Sequence, residues 1–213
     1  MGAQGVGVSR QGEIVSTGWT GEKLFSSDKQ DWSTPPALFS SIAGRWGPFT
    51  LDAAATPVNA RCKRWLGPGG LGDALTDPWV VDGLPEGRVW INPPYGRGVG
   101  QWVRRARLQA AEHGLTVACL TFARTDTRWW HEEIMPHAVV VELIKGRVVF
   151  TDPQGRPNTQ AAKKTGKLRI MPAPAPSCIA VFSGERSVSG PPIFRSVERP
   201  KEAWDRPGWT LDT

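Results

Sequence analysis

Asn92-Pro93-Pro94-Tyr95 is the segment whose residue types and spacing carry the most specific chemistry. It directly follows an apolar run, Val89-Trp90-Ile91, that reads as a strand. Ligands in open α/β sheets bind at the carboxyl ends of strands, so the tetrapeptide stands where a site is expected. The two prolines fix φ and donate no hydrogen bonds. They hold the carbonyls of Asn92 and Pro93 in a stiff, outward-facing turn, so that the Asn92 amide oxygen and the Pro93 carbonyl can both accept from one amine. Tyr95 adds a flat face suited to a planar ring. It is the single tyrosine in a chain with 11 tryptophans and 7 phenylalanines, so aromatic bulk alone does not account for it.

Two acceptors on one amine suit a particular reaction. The exocyclic nitrogen of adenine is a poor nucleophile because its lone pair is delocalised into the ring. Acceptors pulling on both hydrogens favour a more tetrahedral nitrogen, whose lone pair can attack a methyl sulfonium. Catalysis of this kind is positioning and electrostatics, without a covalent enzyme intermediate.

A second segment, Phe49-Thr50-Leu51-Asp52-Ala53-Ala54-Ala55, reads as a short strand ending in a carboxylate and three small residues. Small residues let a ligand approach the backbone, and the carboxylate can meet a cationic amino group. The Gly-x-Gly-x-x-Gly fingerprint of dinucleotide binding is absent from this turn. Asp73, in Gly72-Asp73-Ala74-Leu75, is either a second ligand-binding acid or a cap on an acidic turn.

Charge is unevenly placed. The chain carries a formal +6, and nearly all the surplus lies in one stretch: residues 1–96 are net −1, 97–169 net +7, and 170–213 neutral. A polyanion is the natural partner of such a stretch, with a solvated surface as the alternative. Arg97, two residues past Tyr95, is placed to grip a phosphate, and Arg124 and Arg147 are further candidates. Lys163, Lys164, Lys167 and Arg169 suit phosphate contacts or a soluble loop equally. Arg104, Arg105 and Arg107 read as a solvated helix face.

The elements that must position these residues alternate. Thr34-Pro35 reads as a helix start, a hydroxyl cap followed by proline, with Leu38, Phe39, Ile42, Ala43 and Trp46 on one face. Residues 101–112 read as a helix stopped by Gly114, and Thr127 as the cap of a short helix to Met135. Leu115–Phe122, Ala138–Leu143, Arg147–Phe150 and Cys178–Phe182 read as strands. Helices alternating with short, wholly apolar strands predict a mostly parallel sheet covered on both faces, and late strands without helices predict an antiparallel hairpin at one edge. Residues 1–30 read as a flexible arm, 31–184 as the folded domain, 151–176 as a basic excursion within it, and 185–213 as a tail.

Several classes are excluded. No segment reaches the length of a membrane span, and the N-terminus lacks a secretion signal. Cys62, Cys119 and Cys178 are an odd, scattered set, and the three histidines have no ligand spacing, so neither a disulfide framework nor a metal is expected.

Trp32-Ser33-Thr34-Pro35-Pro36, Leu51-Asp52-Ala53-Ala54 and Asn92-Pro93-Pro94-Tyr95 with Trp102 beyond resemble the bacteriophage Dam family of DNA N6-adenine methyltransferases. Arg124-Thr125-Asp126-Thr127 with Trp129-Trp130, and Gly146-Arg147 before Phe150, extend the resemblance over roughly residues 32 to 183. It implies a Rossmann-like methyltransferase fold, S-adenosylmethionine as donor, double-stranded DNA as substrate and a cytoplasmic setting in a bacterial or phage-infected cell. It also implies that Thr34, Pro35, Asp52, Ala53 and Ala54 line the cofactor pocket, with Asp73 the candidate for its adenosyl part. Asn92, Pro93, Pro94 and Tyr95 would hold a flipped adenine. Only 40 residues separate Asp52 from Asn92, which is short for this fold. The same tetrapeptide also serves methyltransferases of RNA bases and glutamine amides, and an inactive DNA-binding relative is the non-enzymatic alternative.

Overall fold

Leu38 and Ile42 recur at helical spacing and are buried on the inner side of α1, Pro36–Trp46. The computed structural model describes residues 33–80, 87–162, 166–184 and 190–205; Trp32 and the arm read over residues 1–30 lie outside them. Pro35, not Thr34, is the N-cap of α1, and no side chain of that turn caps it. The free backbone donors are met instead from the far end of the chain, where Glu202 Oε1 accepts from the Leu38 N–H at 3.3 Å.

A central sheet runs in the order β1 (Leu51–Asp52), β2 (Arg88–Ile91), β3 (Thr116–Phe122), β7 (Ser177–Ser183), β4 (Val140–Lys145), β8 (Ile193–Glu198). All strands but β7 are parallel to one another. β7 is antiparallel to both its neighbours. The fold is therefore α/β with a mostly parallel sheet, as the alternation of elements predicts. The antiparallel member is not an edge hairpin. Ser177-Cys178-Ile179-Ala180-Val181-Phe182 is buried throughout, so β7 needs partners on both edges and takes β3 and β4. The edge falls to β8, in the segment read as a tail, whose residues are mostly exposed.

β3 shows why the strands read as unbroken apolar runs. Val117 and Cys119 pack on one face with Trp102, Val103 and Ala106 of α2, Val99–His113. Ala118 and Leu120 pack on the other with Leu38 and Ile42 of α1. α2 ends where expected, at Gly114, whose φ of 66° suits a residue without a Cβ.

Two expected elements differ. Arg147–Phe150 is not a strand, although Val148, Val149 and Phe150 are buried. The chain turns at Gly146, and the run finds irregular partners: Ala173 N donates to Val148 O, Asn158 N donates to Phe150 O, and Thr151 bridges to Ser33. The Thr127 helix reduces to a wide π turn, Trp130–Ile134, and the Thr127 hydroxyl donates back to Arg124 O at 2.7 Å rather than capping it.

The short Asp52–Asn92 interval has a structural counterpart. After β1 the chain loops out and returns parallel to it, so that Asp52 bridges Trp65 and Leu66 N donates to Asp52 O at 2.9 Å. Residues 73–79 then dock on α2 through buried Trp79, whose backbone N–H donates to Gln109 Oε1 at 2.6 Å. The excursion forms a separate hairpin, β5 (Thr159–Ala161) with β6 (Leu168–Ile170). No helix among the described residues is long and apolar enough to cross a membrane.

Candidate active site

β2 is an interior parallel strand, and Asn92 follows its last residue, Ile91, directly. The two prolines carry the chain outward, and Tyr95 folds back over the turn. Its hydroxyl donates to Asn92 Oδ1 at 2.9 Å and lies 3.4 Å from Leu120 O. Its ring stacks on Phe122, with centroids 4.2 Å and planes 18° apart, and leans on Phe150 at 5.5 Å. Burial pushes the phenol well above its ordinary pKa, so it stays a neutral donor. One face of the Tyr95 ring is thus covered by Phe122, where the sequence suggested an open face. An amide oxygen has two lone pairs, so Asn92 Oδ1 retains one for a second donor.

Asp52 ends β1 beside this turn and is 3% exposed. Its carboxylate accepts the Arg61 N–H at 2.9 Å and the Ala54 N–H at 3.3 Å. Burial pushes its pKa up from 3.8 to about 6, against the opposing pull of those two N–H groups and the Arg61 charge. The Arg61 side chain crosses to donate to Thr34 O, tying the turn before α1 to the turn after β1. Burial lowers the Arg61 guanidinium pKa, and the Asp52 and Glu202 charges oppose that shift.

Both turns face one cavity of about 250 Å³. Thr34, Asp52, Ala54 and Asn92 to Tyr95 all line it, together with Ser33, Asn59, Arg61 and Trp90. Phe122 and Phe150 form further parts of its wall, and Asn158 with the Met171–Pro174 stretch, the roots of the β5–β6 hairpin, also line it. Arg147 is exposed, and its guanidinium braces that wall by donating to Ala173 O at 3.0 Å.

Three expected cofactor residues do not reach the cavity. Pro35 is spent as the N-cap of α1, and Ala53 is fully buried, its N–H donating to Trp90 O. Asp73 sits in the segment that docks on α2, and its Oδ1 accepts the Leu75 N–H at 2.9 Å as a turn cap. Arg97 and Arg124 line a neighbouring cavity. Lys167 is exposed beside β6, whereas Lys163 and Lys164 lie outside the described residues.

Sequence reasoning missed Arg61, Asn158 and the Trp90 indole. Arg61 follows Asn59-Ala60 in an irregular stretch, and nothing local marks it. Trp90 lies in plain view inside the strand but reads only as core. It is fully buried, yet among the described residues its Nε1–H has no hydrogen-bond partner, and it lines the cavity. A buried donor without an acceptor costs roughly 1–3 kcal/mol unless something enters to accept from it.

The donor set fits S-adenosylmethionine. Among the described residues Asp52 is the only carboxylate on the cavity wall, and it matches a cationic amino group. Asn59 supplies a polar partner, and Ala54 and Ala55 leave room beside the backbone. No group of His, Cys, Asp and Glu among the described residues is arranged to hold a metal ion.

The family described as DNA N-6-adenine-methyltransferase (Dam) matches residues 21–185 of the chain. A curated DNA N-6-adenine-methyltransferase of Escherichia phage T1 is 29% identical over 120 residues, which are 56% of this chain and 47% of that relative. The chain thus spans about half the length of the relative it matches.

Proposed function

The chain belongs to the DNA N-6-adenine-methyltransferase (Dam) family, and from that premise we propose that it transfers a methyl group from S-adenosylmethionine to N6 of adenine in double-stranded DNA. The fold would then be the Rossmann-like methyltransferase arrangement, with the interior β7 as its antiparallel member. The observation that carries the reading is that Asp52 and Asn92, from adjacent parallel strands, face one cavity. One residue can hold a cationic ligand there and the other can accept from an amine, side by side.

S-adenosylmethionine supplies an electrophilic methyl group when bound. Thr34, Asp52, Ala54, Asn59 and the Trp90 indole would hold it. Asn92 Oδ1 would accept a hydrogen bond from one N–H of the adenine amine on its remaining lone pair and the Pro93 carbonyl from the other; as the methyl leaves sulfur, a neutral thioether would remain and the displaced N–H proton would pass to water. Both acceptors strengthen as positive charge develops on the nitrogen, so they favour the transition state over the bound base. Tyr95 fixes the Asn92 carboxamide through its hydroxyl, and its ring with Phe150 bounds the base. Drawing the base out of the duplex costs a few kcal/mol, and phosphate contacts by the basic stretch offset it.

The reading is tested by label transfer from methyl-labelled S-adenosylmethionine to unmethylated duplex DNA, with RNA and total protein as parallel acceptors. Label in DNA supports it. Label confined to RNA or protein replaces it.

A further inference from the structure

A second cavity, of about 560 Å³, lies behind Tyr95 and Phe122, which it shares with the first as a common wall. It opens at the carboxyl ends of β2 and β3, beside the start of α2. Four independent features converge on it. Arg97 and Arg124 line it, and both are exposed. The first turn of α2 begins at its lining residue Val99, with Gly98 as N-cap, no side-chain cap and no acidic residue. Trp129 forms an aromatic side, locked where a Cβ on Gly100 would collide with it at 2.9 Å. Thr121 lies in its wall, fully buried, and among the described residues its Oγ1 has no hydrogen-bond partner.

The Val99 and Gln101 N–H groups already donate to Gly96 O and Gly98 O, so what this helix start offers an anion is chiefly the partial positive charge of its dipole. Two guanidiniums add full charges and forked donors matched to phosphate oxygens. Asp126 pairs with Arg124 at 3.4 Å on the exposed side and leaves most of that guanidinium's donors available. A buried hydroxyl left without a partner is costly, which points to a ligand that supplies one. The cavity is far larger than a phosphate alone, and an indole and a phenol ring flank it, as a nucleotide unit requires.

We propose that this cavity binds a nucleotide of the substrate strand adjacent to the one methylated. Its phosphate lies against Arg97, Arg124 and the start of α2, and its sugar reaches the Thr121 hydroxyl. This rests on the DNA reading above and adds a separate subsite to it. Because Tyr95 and Phe122 belong to both cavities, occupancy here presses on the stack that positions Asn92. The arrangement grips backbone and so carries no base preference of its own.

The test uses the full chain and a fluorescein-labelled duplex of about 14 base pairs whose central adenine faces an abasic site, which makes extrusion cheap whatever the sequence. Single neutral methylphosphonates replace the phosphates around that adenine one at a time, and Kd is read by anisotropy. In the wild type one position next to the adenine should weaken binding about tenfold or more, as expected when a charge-assisted hydrogen bond is removed. In Arg124→Gln and Arg97→Gln the same substitution should cost less than about threefold, because the guanidinium that met that phosphate is already absent. Thr121→Val should weaken binding to the unmodified duplex while leaving Tm unchanged or higher, since it removes an unpaired buried hydroxyl. A purely structural threonine would instead lower Tm.

Methylphosphonate penalties identical in wild type and both arginine variants would overturn the proposal, as would unchanged affinity in Thr121→Val. The two readings fail separately. Coupled binding without methyl transfer keeps the subsite and removes the catalytic reading, and methyl transfer without coupling does the reverse.

Discussion

The Tyr95 hydroxyl donates to Asn92 Oδ1 across 2.9 Å, so the chain's single tyrosine is joined by a direct bond to the residue proposed to accept from the substrate amine. The bond spans three positions, and the two prolines between them make it possible by fixing the turn. With the ring stacked on Phe122 and tilted against Phe150, the Asn92 carboxamide is held in one orientation before any ligand arrives.

The ring and the hydroxyl of Tyr95 should therefore separate in kinetics. Asn92→Ala removes an acceptor that matters most in the transition state, and kcat should fall by about 10²–10³-fold with little change in KM. Tyr95→Phe should lower kcat only several-fold, because Asn92 loses its brace but keeps its oxygen. Tyr95→Ala should also raise KM for DNA. Equal inactivity of the Phe and Ala variants would mean that the hydroxyl takes part in the reaction itself.

Asp52 gives a pH dependence of defined sign. Burial lifts its pKa from 3.8 to about 6, so in the free protein it is mostly protonated at about pH 5 and ionised at about pH 7. A cationic amino group needs the ionised form, so S-adenosylmethionine affinity should rise from about pH 5 to about pH 7 and then level. The stability term runs the other way. Between 3.8 and about 6 the folded state holds a proton the unfolded chain has released, so this group's contribution falls as pH rises through that window. Calorimetry across that range reads the binding term, and Asp52→Asn should flatten it. Equal affinity at the two ends of the range in the wild type would remove Asp52 from the cofactor site. A chelator should leave activity unaltered throughout.

What the sequence revealed follows the physics of each element. That Asn92 and Asp52 share one cavity was legible because each stands at the carboxyl end of an apolar strand, where open α/β sheets place their clefts. β8 was not legible, because Ile193–Glu198 is held by backbone pairing with β4 and buries little, so no hydrophobic period marks it. Val148, Val149 and Phe150 misled in the opposite sense, being buried like a strand while their backbone pairs irregularly. Arg61 was invisible because its meaning depends on Thr34, 27 residues earlier, which only the folded turn brings near. Asp73 matched a ligand residue by type, but Trp79 anchors its segment on α2, away from the cavity.

The β5–β6 hairpin is rooted at the cavity through Asn158 and Met171, and Lys167 is exposed just before β6. Neutralising Lys163, Lys164 and Lys167 together should flatten the salt dependence of DNA binding, by about 0.9 in the log–log slope for each phosphate that the variant no longer neutralises. Cofactor affinity should not change. A triple variant with the wild-type slope would confine the DNA-facing charge to residues such as Arg97 and Arg124.

Glu142 sets the stability of the sheet's far side. It is fully buried on β4 and bonded by Arg45 Nη2 at 2.8 Å, Trp46 Nε1 at 3.0 Å and Arg195 Nε at 3.0 Å, which links α1, β4 and β8. Burial raises its pKa, but the hydrogen bonds from Arg45, Arg195 and Trp46 outweigh that and hold it below the ordinary 4.5. Its contribution is therefore present above that value and lost as pH falls through the folded value. Glu142→Gln should cost about 3 kcal/mol in urea unfolding at neutral pH. It should also remove this group's share of acid sensitivity. A loss below about 1 kcal/mol would show the cluster to be dispensable.

If the Asn92 turn directs methyl transfer to adenine N6, the modified nucleoside carries the label on that atom. The most direct measurement is mass analysis of nucleosides released from unmethylated duplex DNA after incubation with trideuteromethyl S-adenosylmethionine, for the wild type and for Asn92→Ala. The wild type should yield trideuterated N6-methyldeoxyadenosine, and the variant should lose about 10²-fold or more of it. Label on cytosine, on another adenine position or on no nucleoside, or equal product from Asn92→Ala, would contradict it.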